Sequence, residues 1–158
     1  MLISARARSR RQEFNACIGL AVSEDLLHWQ LRDPILAPHY FDEMECAQMV
    51  VYLGCYYLFF SVMAVDPSLR GARKRPYRSG LYCFSSACLE GPYLPAAPDG
   101  LVIDYGTHHY AAALAARRGA LCKFIGWRHL DCRGRFLGGL SEVFRVKLEG
   151  RQARLCLG

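Results

Sequence analysis

Asp42, Glu43 and Glu45 crowd the start of the apolar run in "FDEMECAQMVVYLGCYYLFFS", Phe41 to Ser61. A carboxyl group held partly out of water has a raised pKa. It can protonate a leaving oxygen and later take a proton from water. Glu45 stands directly before the run, nearer the expected sheet than Asp42 or Glu43. On the residues alone such a cluster is either an ordinary solvated turn or a carboxylate aimed into a cleft.

Metal chemistry has no comparable signal. The chain has eight cysteines but no C-x-x-C pair and no Cys/His group at zinc spacing. His108 and His109 are adjacent, so on a strand they face opposite sides and cannot share one ion. No metal or cofactor is expected. Cys17, Cys55, Cys83, Cys122 and Cys156 lie in apolar runs, where a thiol acts as a small hydrophobe. The thiols are therefore read as reduced and the chain as cytoplasmic.

Elements able to position these residues follow from the pattern. At 158 residues, 53% hydrophobic and 22% charged, the chain has the makings of one domain with a packed core, here expected over residues 1–158. Short runs rich in β-branched and aromatic residues predict strands at 16–23, 47–54, 55–62, 80–86, 109–116, 120–127 and 142–148. Turn residues separate them: Gly54, Asp66-Pro67, Gly91-Pro92, Pro98-Asp99-Gly100, Arg118-Gly119, Gly138-Gly139 and Gly150. Alanine in "HYAAALAARRGA" favours helix, but the run is short and ends in a turn, which predicts a hairpin with the strand that follows. The basic segment 1–15 reads as irregular.

The net charge of +6 comes largely from two basic groups. One holds Arg6, Arg8, Arg10 and Arg11. The other holds Arg70, Arg73, Lys74, Arg75 and Arg78. Neither is joined to a nucleic-acid motif, so both are read as solvated loops and no nucleic-acid partner is expected. The N-terminus lacks the apolar core of a signal peptide, and no run is long enough to span a membrane, so no membrane partner is expected.

A weak internal repeat is visible. "GLAVSEDL" (Gly19–Leu26) resembles "GLYCFSSACL" (Gly80–Leu89), and "CYYLFFS" (Cys55–Ser61) resembles "ALCKFIGW" (Ala120–Trp127). The offsets suit units of about four short strands, the content of a propeller blade. The expected fold is all-β, a partial propeller of about two and a half four-stranded antiparallel blades.

Three segments together resemble glycoside hydrolase family 32, the β-fructosidases, whose fold is a five-bladed β-propeller. "IGLAVSEDLLHWQLRDPILAPHYFDEMECAQMVVYLGCYYLFFS" follows the family order of strand, S-x-D-L-x-x-W, proline-bearing loop and Glu-Cys-Pro, with Ala47 in place of the proline. "DYGTHHYAA" is similar to D-x-G-x-D-F-Y-A, with His108 and His109 replacing Asp-Phe. "IGWRHLDCRGRFLGGLSEVFRV" resembles the Gly-Trp strand followed by G-x-L-S. The resemblance implies retaining hydrolysis of fructosyl bonds in sucrose or fructans, with Glu45 as general acid/base. It offers Asp104, His108 and Trp127 as substrate-binding candidates, the first two through sugar hydroxyls and Trp127 by stacking on a ring. Without it, Asp104 is turn chemistry and Trp127 is blade packing. For Asp25 and Trp29 the resemblance implies a structural role, because S-x-D-L-x-x-W recurs at blade edges and not in the pocket.

Arg32-Asp33-Pro34 spells the family's transition-state-stabiliser motif, but it follows the S-x-D-L-x-x-W segment instead of preceding it. It is read as a coincidental turn. The family's Asn-Asp-Pro nucleophile motif has no counterpart, since the one asparagine is Asn15. The expected function is thus a fructosidase-like chain carrying the acid/base half of a site. It would bind carbohydrate and be completed by further blades or by self-association. The alternatives are a non-catalytic carbohydrate-binding or interaction module, or an arabinanase-like five-bladed hydrolase.

Overall fold

A computed structural model describes residues 1–8, 14–64, 76–106, 108–131 and 133–156. The Asp66-Pro67 turn, Arg10, Arg11 and the basic residues between 70 and 75 lie outside them. Every regular element described is a strand except one short 3-10 turn at Pro98–Gly100.

The strands form three antiparallel sheets. The first is β1 (Leu2–Arg6), β2 (Ala16–Val22) and β3 (Gln30–Leu36) in that order. The second runs β4 (Glu45–Tyr52), β5 (Cys55–Val62), β6 (Gly80–Ser86) and β7 (Leu94–Pro95), with β8 (Leu101–Asp104) also pairing with β6. The third is β9 (His109–Arg118), β10 (Leu121–Arg128), β11 (Phe144–Glu149) and β12 (Gln152–Cys156). Apart from β8, which returns to pair with β6, neighbours in sequence are neighbours in each sheet, as in propeller blades.

The internal repeat has a structural basis. β5 and β10 are each the second strand of their sheet. β2 and β6 are each followed by a turn that leads to an outer strand. Aligned this way, the chain holds two full blades and three strands of another.

The middle sheet explains the long apolar run at Cys55–Val62. Its side chains alternate between faces, and both faces are buried. Leu58, Phe60 and Val62 pack with Ile18, Ile35 and Phe41 toward the first sheet. Tyr57 and Phe59 pack with Cys122, Phe124 and Val146 toward the third. Polar links also cross the seam to the third sheet. Ser85 Oγ donates to the Arg151 carbonyl at 2.7 Å, the Ala153 amide donates to the Ala96 carbonyl at 2.8 Å, and the Tyr57 hydroxyl donates to the Gly150 carbonyl. Cys17, Cys55, Cys83 and Cys122 are buried and the described cysteines are all free.

Three expectations are corrected. Residues 2–6 are not irregular: they pair with β2 from Leu2↔Leu20 to Arg6↔Ala16. Arg32-Asp33-Pro34 is not a turn but lies within β3. A proline is tolerated there because β3 is an edge strand whose ladder to β2 shifts register at that place. Arg117 and Arg118 belong to β9, and the turn to β10 is made at Gly119 and Ala120.

Candidate functional site

The three carboxylates have three different fates. Asp42 accepts a hydrogen bond from the Tyr77 hydroxyl at 2.8 Å. Glu43 meets Arg6 at 3.4 Å on the surface. The Glu45 carboxyl has no hydrogen-bond or ion-pair partner among the described residues, and the residue is half-buried. Burial, and next the like charge of Glu43, hold its carboxyl above the ordinary glutamate range.

A bulge places Glu45 where it is. Glu45 pairs with Ser61 and Gln48 with Phe59, so β4 carries one extra residue between these pairs. Cys46 absorbs it with φ 51°, a left-handed conformation uncommon outside glycine. Burial and the adjacent Glu45 charge raise the Cys46 thiol pKa, which keeps the thiol protonated. β9 opens with the same device. Tyr110 pairs with Trp127 and Ala113 with Ile125, with Ala111 at φ 51°. Glu45 in one blade and Tyr110 in the next therefore occupy equivalent places.

Two residues lock these strand starts together. The Gln48 side-chain amide donates to the Cys46 carbonyl at 3.2 Å and the Ala112 carbonyl at 2.9 Å, while its oxygen accepts from the Leu114 amide at 2.6 Å. The buried Tyr105 hydroxyl shares a 3.2 Å hydrogen bond with Ser61 Oγ and accepts from the Ala112 amide at 3.1 Å. Burial, the leading cause, pushes the Tyr105 phenol up to about 12, so it stays neutral at these bonds. Gln48 and Tyr105 were not identified from the sequence. A glutamine in "CAQMVV" was the available signal, because a polar side chain within an apolar strand needs partners.

The other candidates lie at the same end of the sheets, at the end of β8, the start of β9 and the end of β10. Asp104 has both oxygens engaged: one meets Arg78 at 2.6 Å and the other accepts from the Gly106 amide at 3.0 Å, which is turn chemistry. His108 Nδ1 lies 3.0 Å from the Leu130 carbonyl. His109 turns away toward Glu142 at 3.6 Å. Trp127 is 55% exposed, with its ring available. No hydrogen bond or ion pair joins Glu45 to Asp104, His108 or Trp127. The described residues contain no group of three or more His, Cys, Asp or Glu able to hold a metal ion, and no helix long and apolar enough to cross a membrane.

A half-buried acid beside a clamped blade junction can donate a proton to a ligand lying over the strand ends and can take one back. Its titration is open to test. Between the ordinary glutamate pKa and the raised one, the folded chain binds more protons than the unfolded chain, so stability should fall as pH rises through that window. Glu45→Gln should flatten this limb of a plot of urea midpoint against pH. Carbon-detected NMR of the wild-type carboxyl should show the raised pKa directly.

No family model matches the chain. A levansucrase of Erwinia amylovora is 36% identical over 90 residues, which are 55% of this chain and 21% of that protein. The inulosucrase of Halalkalicoccus jeotgali, solved with kestose, superposes on 91% of this chain and 40% of its own with TM-score 0.76 and 26% identity. This chain has a fructosidase-like propeller fold. Bacillus subtilis levansucrase agrees in fold, with TM-score 0.68 over 90% of this chain and 34% of its own at 20% identity. The chain thus spans two fifths or less of the length of each of these proteins. The partial propeller expected from the repeat and from the three segments is what the structure contains.

Proposed function

We propose that this chain supplies the acid/base part of a fructoside-cleaving site of the β-fructosidase type, with Glu45 as the proton donor and acceptor. The observation that carries this is Glu45 itself: a partnerless, half-buried carboxyl with a raised pKa at the start of β4, beside a junction fixed by Gln48 and Tyr105. Protonated, it would deliver its proton to the oxygen leaving the fructosyl carbon. Ionised, it would accept one from the incoming water. Trp127 offers a ring face for a sugar at the same end. The names of the levansucrase and inulosucrase relatives favour a second outcome of the same chemistry, in which a sugar hydroxyl replaces water as acceptor.

Retaining cleavage needs a second carboxylate to form the glycosyl–enzyme intermediate. This chain has no Asn-Asp motif to supply it, and Asp33 of Arg32-Asp33-Pro34 sits on an outer strand of another sheet. The purified chain is therefore expected to bind kestose without releasing fructose from it or from sucrose. Binding should shift the Trp127 indole and Glu45 carboxyl signals in NMR. If neither moves at tens of millimolar ligand, a weak-binding ceiling of about −2 kcal/mol, the assignment fails. If fructose is released and Glu45→Gln abolishes the release, the chain is a complete enzyme and the half-site assignment is overturned.

A further inference from the structure

We infer that the turn after β2 forms a second carbohydrate-binding site, remote from Glu45, in which Trp29 is the platform for a neutral sugar ring. A surface hollow of about 370 Å³ lies there, within the size range of small-molecule sites. Trp29, Gln30 and Arg32 line it together with Ser23, Asp25 and His28.

The turn is built to hold the indole still. Ser23 Oγ accepts from the Leu26 amide at 2.8 Å, and Asp25 Oδ1 accepts from the Leu27 and His28 amides, each at 2.8 Å. His28 Nδ1 lies 2.6 Å from Asp25 Oδ2. The Trp29 Nε1–H donates to the Leu26 carbonyl at 3.1 Å, so the ring is fixed by its polar edge while 40% of the residue stays exposed. An aromatic face fixed in this way loses little freedom when a ligand stacks on it.

The remaining polar groups select the ligand class. Asp25 is occupied by its own turn and by His28, so it is not free to bind a cation. Gln30 and Arg32 alternate along β3 and so share a face, with Arg32 donating to Gln30 Oε1 at 3.3 Å. That leaves the Gln30 amide group and further guanidinium N–H groups as hydroxyl partners beside an apolar ring. Glu24 and Asp25 on the lining oppose the Arg32 charge, which disfavours an anionic ligand, while Asp25 is already engaged and offers no free cation ligand. A flat apolar face flanked by planar donors and acceptors fits a neutral saccharide.

Strand register separates this site from Glu45. The equivalent turn after β6 starts at Ser86, which pairs with Tyr56 at the beginning of β5, whereas Glu45 pairs with Ser61 near its end. By the repeat, the turn after β2 lies at the end of the blades opposite to Glu45. The sugar class is argued from the hollow's own side chains and does not rest on the Glu45 assignment.

The test follows the indole signals of the two tryptophans by nitrogen-15 NMR, with Trp127→Phe identifying Trp29. Kestose is the probe. The Trp29 signal should shift saturably with a Kd on the order of 1 mM, and should do so equally in Trp127→Phe and Glu45→Gln. Arg32→Ala, on an exposed edge strand that tolerates it, should weaken the binding at least tenfold. No saturable Trp29 shift, or an unchanged Kd in Arg32→Ala, would overturn the site. A shift at Trp29 with none at Trp127 or Glu45 supports this site while removing the function proposed for Glu45.

Discussion

Phe41→Ala is expected to destabilise the chain by about 3–5 kcal/mol. Phe41 is fully buried, with ring centroids 5.6 Å from Phe60, 5.2 Å from Tyr77 and 4.8 Å from Tyr82. Alanine would remove the ring that these three partners share and leave a cavity between them. The loss is a large fraction of the ~5–15 kcal/mol typical of a whole domain. A chemical denaturation midpoint measures it. Phe41→Leu, which refills most of the volume, should recover most of the loss. The effect should also reach the candidate site. The Phe41 carbonyl accepts from the Ala16 amide at 3.1 Å, so the residue ties the segment leading into Glu45 to the first sheet. With that anchor loosened, Glu45 should become better hydrated and its raised pKa should move back toward the ordinary glutamate value. Phe41→Ala with an unmoved Glu45 titration would show that the acid is positioned by its own bulge alone.

The strands that could be read from the sequence are those of the buried blade centres. Cys55–Val62 and Gly80–Ser86 were bounded correctly because both faces of each strand are apolar and a turn or Gly marks an end. β3 was missed since five of its seven residues are exposed, and Pro34 argued for a turn. β1 and β12 were missed for a related reason: each is five residues long, carries an arginine among its apolar residues and lies at a sheet edge. β7 is too short, at two residues, to leave a pattern. Glu45 stood out through its place before an apolar run and through the family resemblance. Neither signal reveals the bulge at Cys46, which depends on pairing with a strand ten or more residues away. Gln48 and Tyr105 act across two blades: a lone glutamine in an apolar strand signals that a partner is needed, but its partners in β9 have no local signature. Asp104 was legible as a turn residue, and its ion pair with Arg78 strengthens that side of the choice.

Gly80→Ala should be as damaging as the Phe41 change, by an opposite route. A Cβ on Gly80 would lie 2.2 Å from the Leu101 side chain and 2.4 Å from the Ile103 carbonyl oxygen. The leucine could rotate away, but the carbonyl is backbone and can only retreat with the whole of β8. Overpacking of this kind costs about 1–3 kcal/mol and more when backbone must move. Gly80 pairs with Asp104, so the displaced segment is the one that carries Asp104 and Tyr105. The Tyr105 amide would leave the Ser79 carbonyl, now 3.0 Å away, and its hydroxyl would be pulled from Ser61 and Ala112. Hydrogen exchange should therefore speed up at the Tyr105 and Ala112 amides well before the sheet as a whole opens. Gly54→Ala is the matched comparison. A Cβ there meets nothing within 4 Å, and its cost is limited to the left-handed backbone at φ 74°, about 1–2 kcal/mol, with no change in exchange at Tyr105. Equal losses and equal exchange in the two variants would show that the close approach of β6 and β8 does not hold the Asp104–Tyr105 corner in place.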